Sequence, residues 1–497
     1  MKKLALLLLS LQCSLYNIST AQNPGDLDYN FAGGTVRMPG RHWLDVAVQP
    51  DGKLLTVGTV LARYNTNGFL DSTFGIGGVA TIEVNDTAYS CNAIAIQPDG
   101  KVLVAGGAFN GSIDHDFLLV RFNADGSPDS TFDGDGVVRN DVNGWADDYG
   151  YELAIQPDGK IIVAGESDSK LALSRYHANG SLDSSFDYDG RLVVSSIDII
   201  TYVTISNQFR ATYMKLQNDG KILVGNTDRV ARLNADGSFD SSFGSGGIAT
   251  IPHRMSDLVI QPDGKIVLAG GNGACFKIVR LEGNGSVDSS FAVFGTATVC
   301  KLQFSDPELM ATSIALQPDG RILAGGYTMD GMLYDYNDFA LIRLNSNGFV
   351  DNTFGTDGRV VTLFQGFEHM AKSYASAITP DLKLVLAGYE NYASVCGFVA
   401  KYHLGGMQWP ADANSIPGSN ETFILAPNPT TSKLTITSGN KIKELSICNA
   451  MGQIAERQVL SGSERVTLDV AHLSPGIYYI KLTDETGSTH TGKFLKQ

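Results

Sequence analysis

The chain has 497 residues, 43% hydrophobic and 9% aromatic, with a formal net charge of −15. That apolar content suffices for packed cores and confines disorder to the ends, while the acidic balance excludes nucleic acid, which calls for a Lys/Arg-rich face, and equally excludes anionic lipid surfaces. Fifty-five glycines against sixteen prolines point to a chain that turns often, as all-β proteins do.

Residues 1 to 22, "MKKLALLLLSLQCSLYNISTAQ", carry two lysines, an apolar run and then Ser19-Thr20-Ala21 before Gln22. This is the layout of a secretory signal cleaved after residue 21. Cys13 leaves a lipoprotein alternative, against which stands Gln12 where that processing wants a small residue. The run Leu4 to Leu11 is too short to span a bilayer, and no later stretch is long enough, so no transmembrane segment is expected. Cys91, Cys275, Cys300, Cys396 and Cys448 remain, an odd and sparse set with no Cys-x-x-Cys pair. Buried free thiols are expected, one incidental bridge being the alternative.

From residue 49 a run reading Gln-Pro-Asp-Gly-Lys or a variant returns seven times, with its Asp at 51, 99, 158, 219, 263, 319 and 381. The separations are 48, 59, 61, 44, 56 and 62 residues. Each run lies between apolar strands, as with Ile94 and Ile96 before and Val102, Leu103 and Val104 after. Pro presets the first corner and Gly takes positive φ, so each run is a hairpin turn.

A second element follows each hairpin, as in "FLLVRFNADGSPDSTFDGDG". Its strand ends in Arg63, Arg121, Arg175, Arg232, Arg280, Arg343 or Lys401, and an Asp-x-x-Phe unit comes after the next turn, from Asp71-Phe74 to Asp351-Phe354. Four strands per unit at this spacing predict the blades of an all-β propeller, seven in number. An extra unit, Asp28 to Phe31, precedes the first hairpin, while the seventh copy lacks one. The strand near Thr35 to Met38 should therefore complete the seventh blade and remove the open edges. "AIQPDGKIxVAG" followed by "LDSTFG" resembles the delta-60 repeat of bacterial β-propellers over about residues 24 to 406, which implies a secreted or surface propeller of unspecified ligand.

Residues 407 to 423 break the periodicity and read as a linker, and 424 to 497 read as a small Ig-like β-sandwich of short alternating strands. The tail resembles the type A C-terminal sorting domain of the type IX secretion system of Bacteroidetes. The matching residues are Pro427, Asn428 and Pro429, Gly452 in "NAMG", Leu473, Pro475, Gly476 and Tyr478 in "LSPGIY", and Lys493 in the basic end. The resemblance implies an address read by the type IX machinery and a secreted or surface-attached product. An Ig-like module kept for adhesion is the alternative.

No catalytic motif appears. The eight histidines show no metal-ligand spacing, and no glycine run precedes a helix. Asn123 to Asp129 is spaced like a calcium loop, but its counterparts lack the carboxylates, so calcium is the lesser reading and a hairpin turn the greater. The periodic Arg is expected to bond neighbouring carbonyls or the Asp of Asp-x-x-Phe rather than an anion. Both short turns of each blade fall at one face, so the variable connections share the other. There Trp145, Asp147, Asp148 and Tyr149 of one loop and Tyr334, Asp335, Tyr336 and Asp338 of another suit sugar stacking and hydroxyl hydrogen bonds, against a background of solvated loops. The expected function is non-catalytic binding of a glycan or surface partner by a monomer without cofactor. A propeller enzyme acting on extracellular polysaccharide and a purely structural surface protein are the alternatives.

Overall fold

The computed structural model describes residues 23–81, 89–111, 114–198, 212–271, 275–300, 308–329, 337–364, 371–391, 395–405, 423–426, 430, 432–449, 454–473, 476–486 and 489–496. The expected signal peptide 1–21, with Gln22, and nearly all of the expected linker 407–423 lie outside these residues. Apart from one short 3-10 turn, the regular secondary structure of the described residues is all strand, in seven four-stranded antiparallel sheets and one five-stranded sheet.

Six of the seven sheets use strands in chain order; the first holds Trp43–Val48, Leu54–Gly58, Leu61–Tyr64 and Val79–Ala80. The first strand of each lies beside that of the next, and Ala371–Ile378 in turn lies beside Trp43–Val48. Every side chain of Leu54–Gly58 and of Ile161–Ser167 is buried. Both faces of such a sheet are covered, which is why these strands read as continuous apolar runs.

The recurrent turn is a hairpin as expected: Gln49 N donates to Lys53 O at 2.8 Å and Gly52 N to Gln49 O at 2.9 Å, with Gly52 at φ 84°. A second recurrent feature was not apparent from periodicity. The innermost strands carry a β-bulge at one equivalent place, between Trp43 and Asp45, Cys91 and Ala93, Gly150 and Glu152, Met255 and Asp257, Ala311 and Ser313, and Ser373 and Ala375. The residue facing the bulge is Gly58, Gly106, Gly165, Gly270, Gly326 or Gly388, where a Cβ would overlap the carbonyl oxygen of His42, Ser90, Tyr149, Arg254, Met310 or Lys372. In four of the six, Gly106, Gly165, Gly270 and Gly388, this is the glycine after "VA" or "LA" in the repeat, fixed by the close approach of backbone. In the fourth sheet Asn226 takes that position, and residue 211, the counterpart of Gly150, lies outside the described residues.

The remaining signature residues form one network. Arg63 donates from Nε to Asp71 at 2.8 Å, from Nη2 to Thr73 and from Nη1 to the carbonyl of Ala124 in the next sheet at 2.7 Å, while its guanidinium lies 4.5 Å from the Phe74 ring centre. Lys53 of the hairpin reaches the same Asp71 at 2.9 Å. Arg121, Arg175, Arg232, Arg280 and Arg343 repeat the arrangement, reaching the carbonyls of Ala178, Ala235, Gly283, Ser346 and Leu404. The expected structural role of this Arg column is therefore observed, with both anticipated partners engaged at once. Burial would raise the Asp71 carboxyl, but Lys53, Thr73 and Arg63 together hold it well below the usual carboxylate range.

The expected N-terminal pairing is also present. Thr35–Pro39 runs antiparallel to Val395–His403, with Thr35 opposite Ala400, in the sheet of the last hairpin. Asp28 supplies that sheet's carboxylate, 2.6 Å from Lys383 Nζ, and Lys401 stands over Phe31.

One expectation is corrected. Cys275 and Cys300 are not free thiols but form a disulfide between directly opposed residues of two outer strands. Cys91 and Cys396 are buried and free, as expected.

The C-terminal segment pairs five strands: Phe423–Ala426, Lys433–Asn449, Ile454–Asp469, Gly476–Asp484 and Thr489–Lys496. The long strand Lys433–Asn449 pairs with three others, and its register shifts between Thr437 and Ile442. Leu434 and Ile436 before the shift and Leu445 and Ile447 after it share one core with Leu468, Ile480 and Phe494.

Candidate functional site

In each of the six sheets built in chain order the hairpin and the Asn/Asp-Gly turn lie at one end, and the links between second and third strands and between sheets lie at the other. The repeat residues are consumed at the first end by the Arg–Asp–Lys network. Sequence variation is left to the second.

The best-described part of that second end is the seam between the sheet holding His115–Phe122 and the sheet opened by Asp148–Ile155. Four rings stand in succession: Phe109 and His115 at 5.5 Å between centroids, His115 and Tyr149 at 4.9 Å, Tyr149 and Tyr151 at 6.3 Å. His115 Nδ1 is 2.9 Å from both Asp147 Oδ1 and the Tyr149 hydroxyl. Asp147 also accepts the backbone N–H of His115, so this exposed carboxylate ties one sheet to the loop before the next. Tyr151 donates to Glu166 Oε1 at 2.7 Å, and Glu166 faces Tyr149 across the strand pair. Gly107 leaves room for this stack, since a Cβ there would lie 2.5 Å from Tyr149 Cδ1.

Negative charge gathers at the same seam. Burial raises the Asp148 carboxyl to about 6, with Asp141 and Asp116 adding to the rise, and its Oδ2 accepts the N–H of Val142 at 2.6 Å. Glu166 is raised by burial and by Asp147, and Asp116 by burial, Asp141 and Asp114. Burial, Asp147 and Glu166 push the Tyr149 phenol up to about 12.

The residues expected on the ligand face are distributed unevenly. Trp145 is 85% exposed on a backbone at φ 58°, and Asp147 and Tyr149 share the His115 cluster. Asp148 points inward and is fully buried. Asp338 is buried as well, bonded through its backbone to Thr328. Tyr334, Asp335 and Tyr336 lie outside the described residues. His115, Tyr151 and Glu166 were missed in the sequence because each sits in an ordinary strand, and only the sheet-to-sheet packing and the strand register set His115 and Glu166 beside Tyr149.

A second charged group lines the centre of the ring of innermost strands. Lys215 Nζ is 3.5 Å from Asp257 of the next sheet, and its side chain keeps 39% of its surface open. Burial would lower the ammonium, but Asp257, Glu152 and Asp45 raise it. Asp45 and Asp257 each accept a backbone N–H of a following sheet, from Ile94 and Ile314, at 3.0 Å. Among the described residues no group of three or more His, Cys, Asp or Glu could hold a metal, and no helix is long and apolar enough to cross a membrane.

In the tail, Leu473 and Tyr478 belong to the core, Tyr478 stacking on Phe494 at 5.5 Å, and Gly476 and Lys493 form the backbone of the last strand pair. Pro427, Asn428, Pro429, Gly452 and Pro475 lie outside the described residues. Comparison with known families matches residues 425–497 to the secretion system C-terminal sorting domain. The Domain of unknown function (DUF5122) beta-propeller matches at 49–74, 97–132, 156–186, 217–243, 261–291 and 317–354.

The chain carries a DUF5122 β-propeller region and a type IX sorting domain.

The sorting domain marks the propeller for export, to a secreted or outer-membrane surface-attached state. No curated protein matches the chain. Among solved structures it is similar to a protein from Lactobacillus plantarum, with 11% identity and a TM-score of 0.40, over 88% of this chain and 100% of that one. A glucose dehydrogenase is similar at 14% identity and a TM-score of 0.34, over 75% of this chain and 98% of that one. The extracellular domain of a protein assigned as a hybrid two-component system of B. thetaiotaomicron is similar at 10% identity and a TM-score of 0.39, over 92% of this chain. This chain spans 55% of that domain.

Proposed function

We propose that residues 22–406 form a seven-bladed propeller closed by the N-terminal strand, that 407–423 link it to an Ig-like sorting module at 424–497, and that the exported propeller is a non-catalytic binding protein for a glycan or surface partner. The ring reading rests on the seven four-stranded sheets and on the contact of the last innermost strand with the first. The observation that carries the binding reading is the division between the two ends of the sheets. At one end the recurrent Arg, Asp and Lys are bonded to one another and to the neighbouring sheet. At the other, an exposed Trp145 and a half-exposed Tyr149 stand beside Asp147, a combination of ring faces and acceptors that suits a sugar. A glycan array with the wild type and Trp145→Ala tests it. Binding by the wild type that is lost in the variant is expected; binding that survives the change removes Trp145 from the site.

An enzyme acting on extracellular polysaccharide is the second reading, favoured by the raised carboxyls of Asp148 and Glu166. Against it, Asp148 is fully buried with one oxygen committed to Val142. Release of reducing ends from polysaccharides by the wild type, lost in Glu166→Gln, would establish the enzyme.

A further inference from the structure

We propose that the Tyr149–Tyr151 seam takes a cationic group, and that on the glycan reading above the ligand is therefore a polysaccharide bearing free amino sugars.

The proposal starts from Glu166. Its side chain is more than nine-tenths buried, yet Oε2 has no hydrogen-bond partner among the described residues. Its other oxygen accepts the Tyr151 O–H, so the carboxylate is fixed in place beside the two rings. A buried acceptor left without a donor is destabilising, more so when it is charged, and a donor from a ligand would recover that cost. An N–H⁺ donor recovers most, because it supplies the missing bond and the missing charge together.

The surroundings select the same sign of charge. Asp147 lies close enough to raise both Glu166 and Tyr149, and the charges acting on Asp148 beneath the seam are those of Asp141 and Asp116. Glu166 is thus held against Asp147, and Asp148 against Asp141 and Asp116, and a cation lowers that repulsion where a neutral or anionic ligand does not. The near-parallel Tyr149 and Tyr151 rings offer π-faces, which attract an ammonium and also stack on a pyranose. An amino sugar joins both requirements in one residue: a ring for the tyrosines and an ammonium for Glu166 and Asp147.

Calorimetric titration of the full exported chain with oligomers of glucosamine and with their N-acetylated forms tests the inference. The glucosamine oligomers should bind at least about tenfold more tightly, the size of one charge-assisted hydrogen bond, with affinity falling as salt rises. Glu166→Gln and Asp147→Asn should each erase most of the preference, and an unchanged melting curve separates this loss from misfolding. Glu166→Asp, which keeps the charge, should retain the preference in part. Equal binding of both oligomers overturns the cationic site and leaves the glycan reading standing. Binding of neither overturns both, and a preference that survives both variants overturns the assignment to this seam.

Discussion

The guanidinium of Arg63 holds Asp71 of its own sheet at 2.8 Å and the carbonyl of Ala124, 61 residues further on, at 2.7 Å. Arg63 is thereby a fastener between blades, not a surface charge, and the same geometry recurs through Arg343. Removing one partner of such a buried pair strands the other. Arg63→Ala should cost about 3–5 kcal/mol, measured by urea unfolding, while Arg63→Met with Asp71→Leu should recover much of the loss. Arg63→Lys should recover little, because an ammonium cannot serve Asp71, Thr73 and Ala124 in one plane.

The aspartates of the network set the acid limit. Asp28, Asp71, Asp129, Asp183, Asp240, Asp288 and Asp351 all have carboxyls lowered from 3.8. A carboxyl depressed on folding contributes stability above its unfolded value, and that stability drains as pH falls through the folded value. Melting temperature should be level from neutral pH down to about 4.5 in this respect and drop steeply below the 3.8 of the free carboxyl.

Asp148 should act in the opposite sense. Its carboxyl is raised from 3.8 to about 6, so the folded chain holds a proton that the unfolded chain releases, and stability declines as pH rises through that interval. Asp148→Asn keeps an acceptor for Val142 without the charge. The variant should melt higher than wild type at pH 7 and lose the pH 4–6 slope, and identical slopes would show that Asp148 ionises freely.

Gly165 tests the bulge. A Cβ there would overlap the carbonyl oxygen of Tyr149, so Gly165→Ala should destabilise by about 1–3 kcal/mol or more. Gly159, in the hairpin of the same sheet, would meet only Ala178 Cβ at 3.9 Å, an ordinary contact, but sits at φ 84°, so Gly159→Ala should cost about 1 kcal/mol through backbone strain. Comparing the two unfolding curves separates close approach from strain.

Truncation separates fold from address. Described strands of the propeller end at His403 and the tail has its own core. A chain ending at residue 420 should melt within a few degrees of the full propeller and remain undelivered to the surface, checked by fractionation and calorimetry. A loss of tens of degrees would make the tail part of the fold.

Much of the fold was legible because its determinants are local and repeated. Pro50, Asp51 and Gly52 state the hairpin outright, and the displaced Asp28-Phe31 unit reveals where the N-terminus pairs. The seam was less legible, since His115 arrives from another sheet and Glu166 is set opposite Tyr149 only by the register of the strand pair. A rule of alternation places residues 149 and 151 on one face but says nothing of residue 115. Asp148 shows the limit from the other side, as an acid in a polar loop sequence whose side chain turns inward to hold Val142.

Asp28 and Lys383 meet across 355 positions of the chain. During synthesis or translocation from the N-terminus, Asp28 and Phe31 emerge well before Lys383 and Lys401, and they must wait for most of the propeller before these partners exist. Every other fastener closes within about 70 residues, fast by the scaling of rate with sequence separation, so the last blade sets the pace of folding. Until it closes, the strand at Thr35–Pro39 and the edge at Val395–His403 both offer unpaired backbone to any other chain nearby. The interval most open to aggregation should therefore run from the emergence of Thr35 until Thr35–Pro39 pairs with Val395–His403.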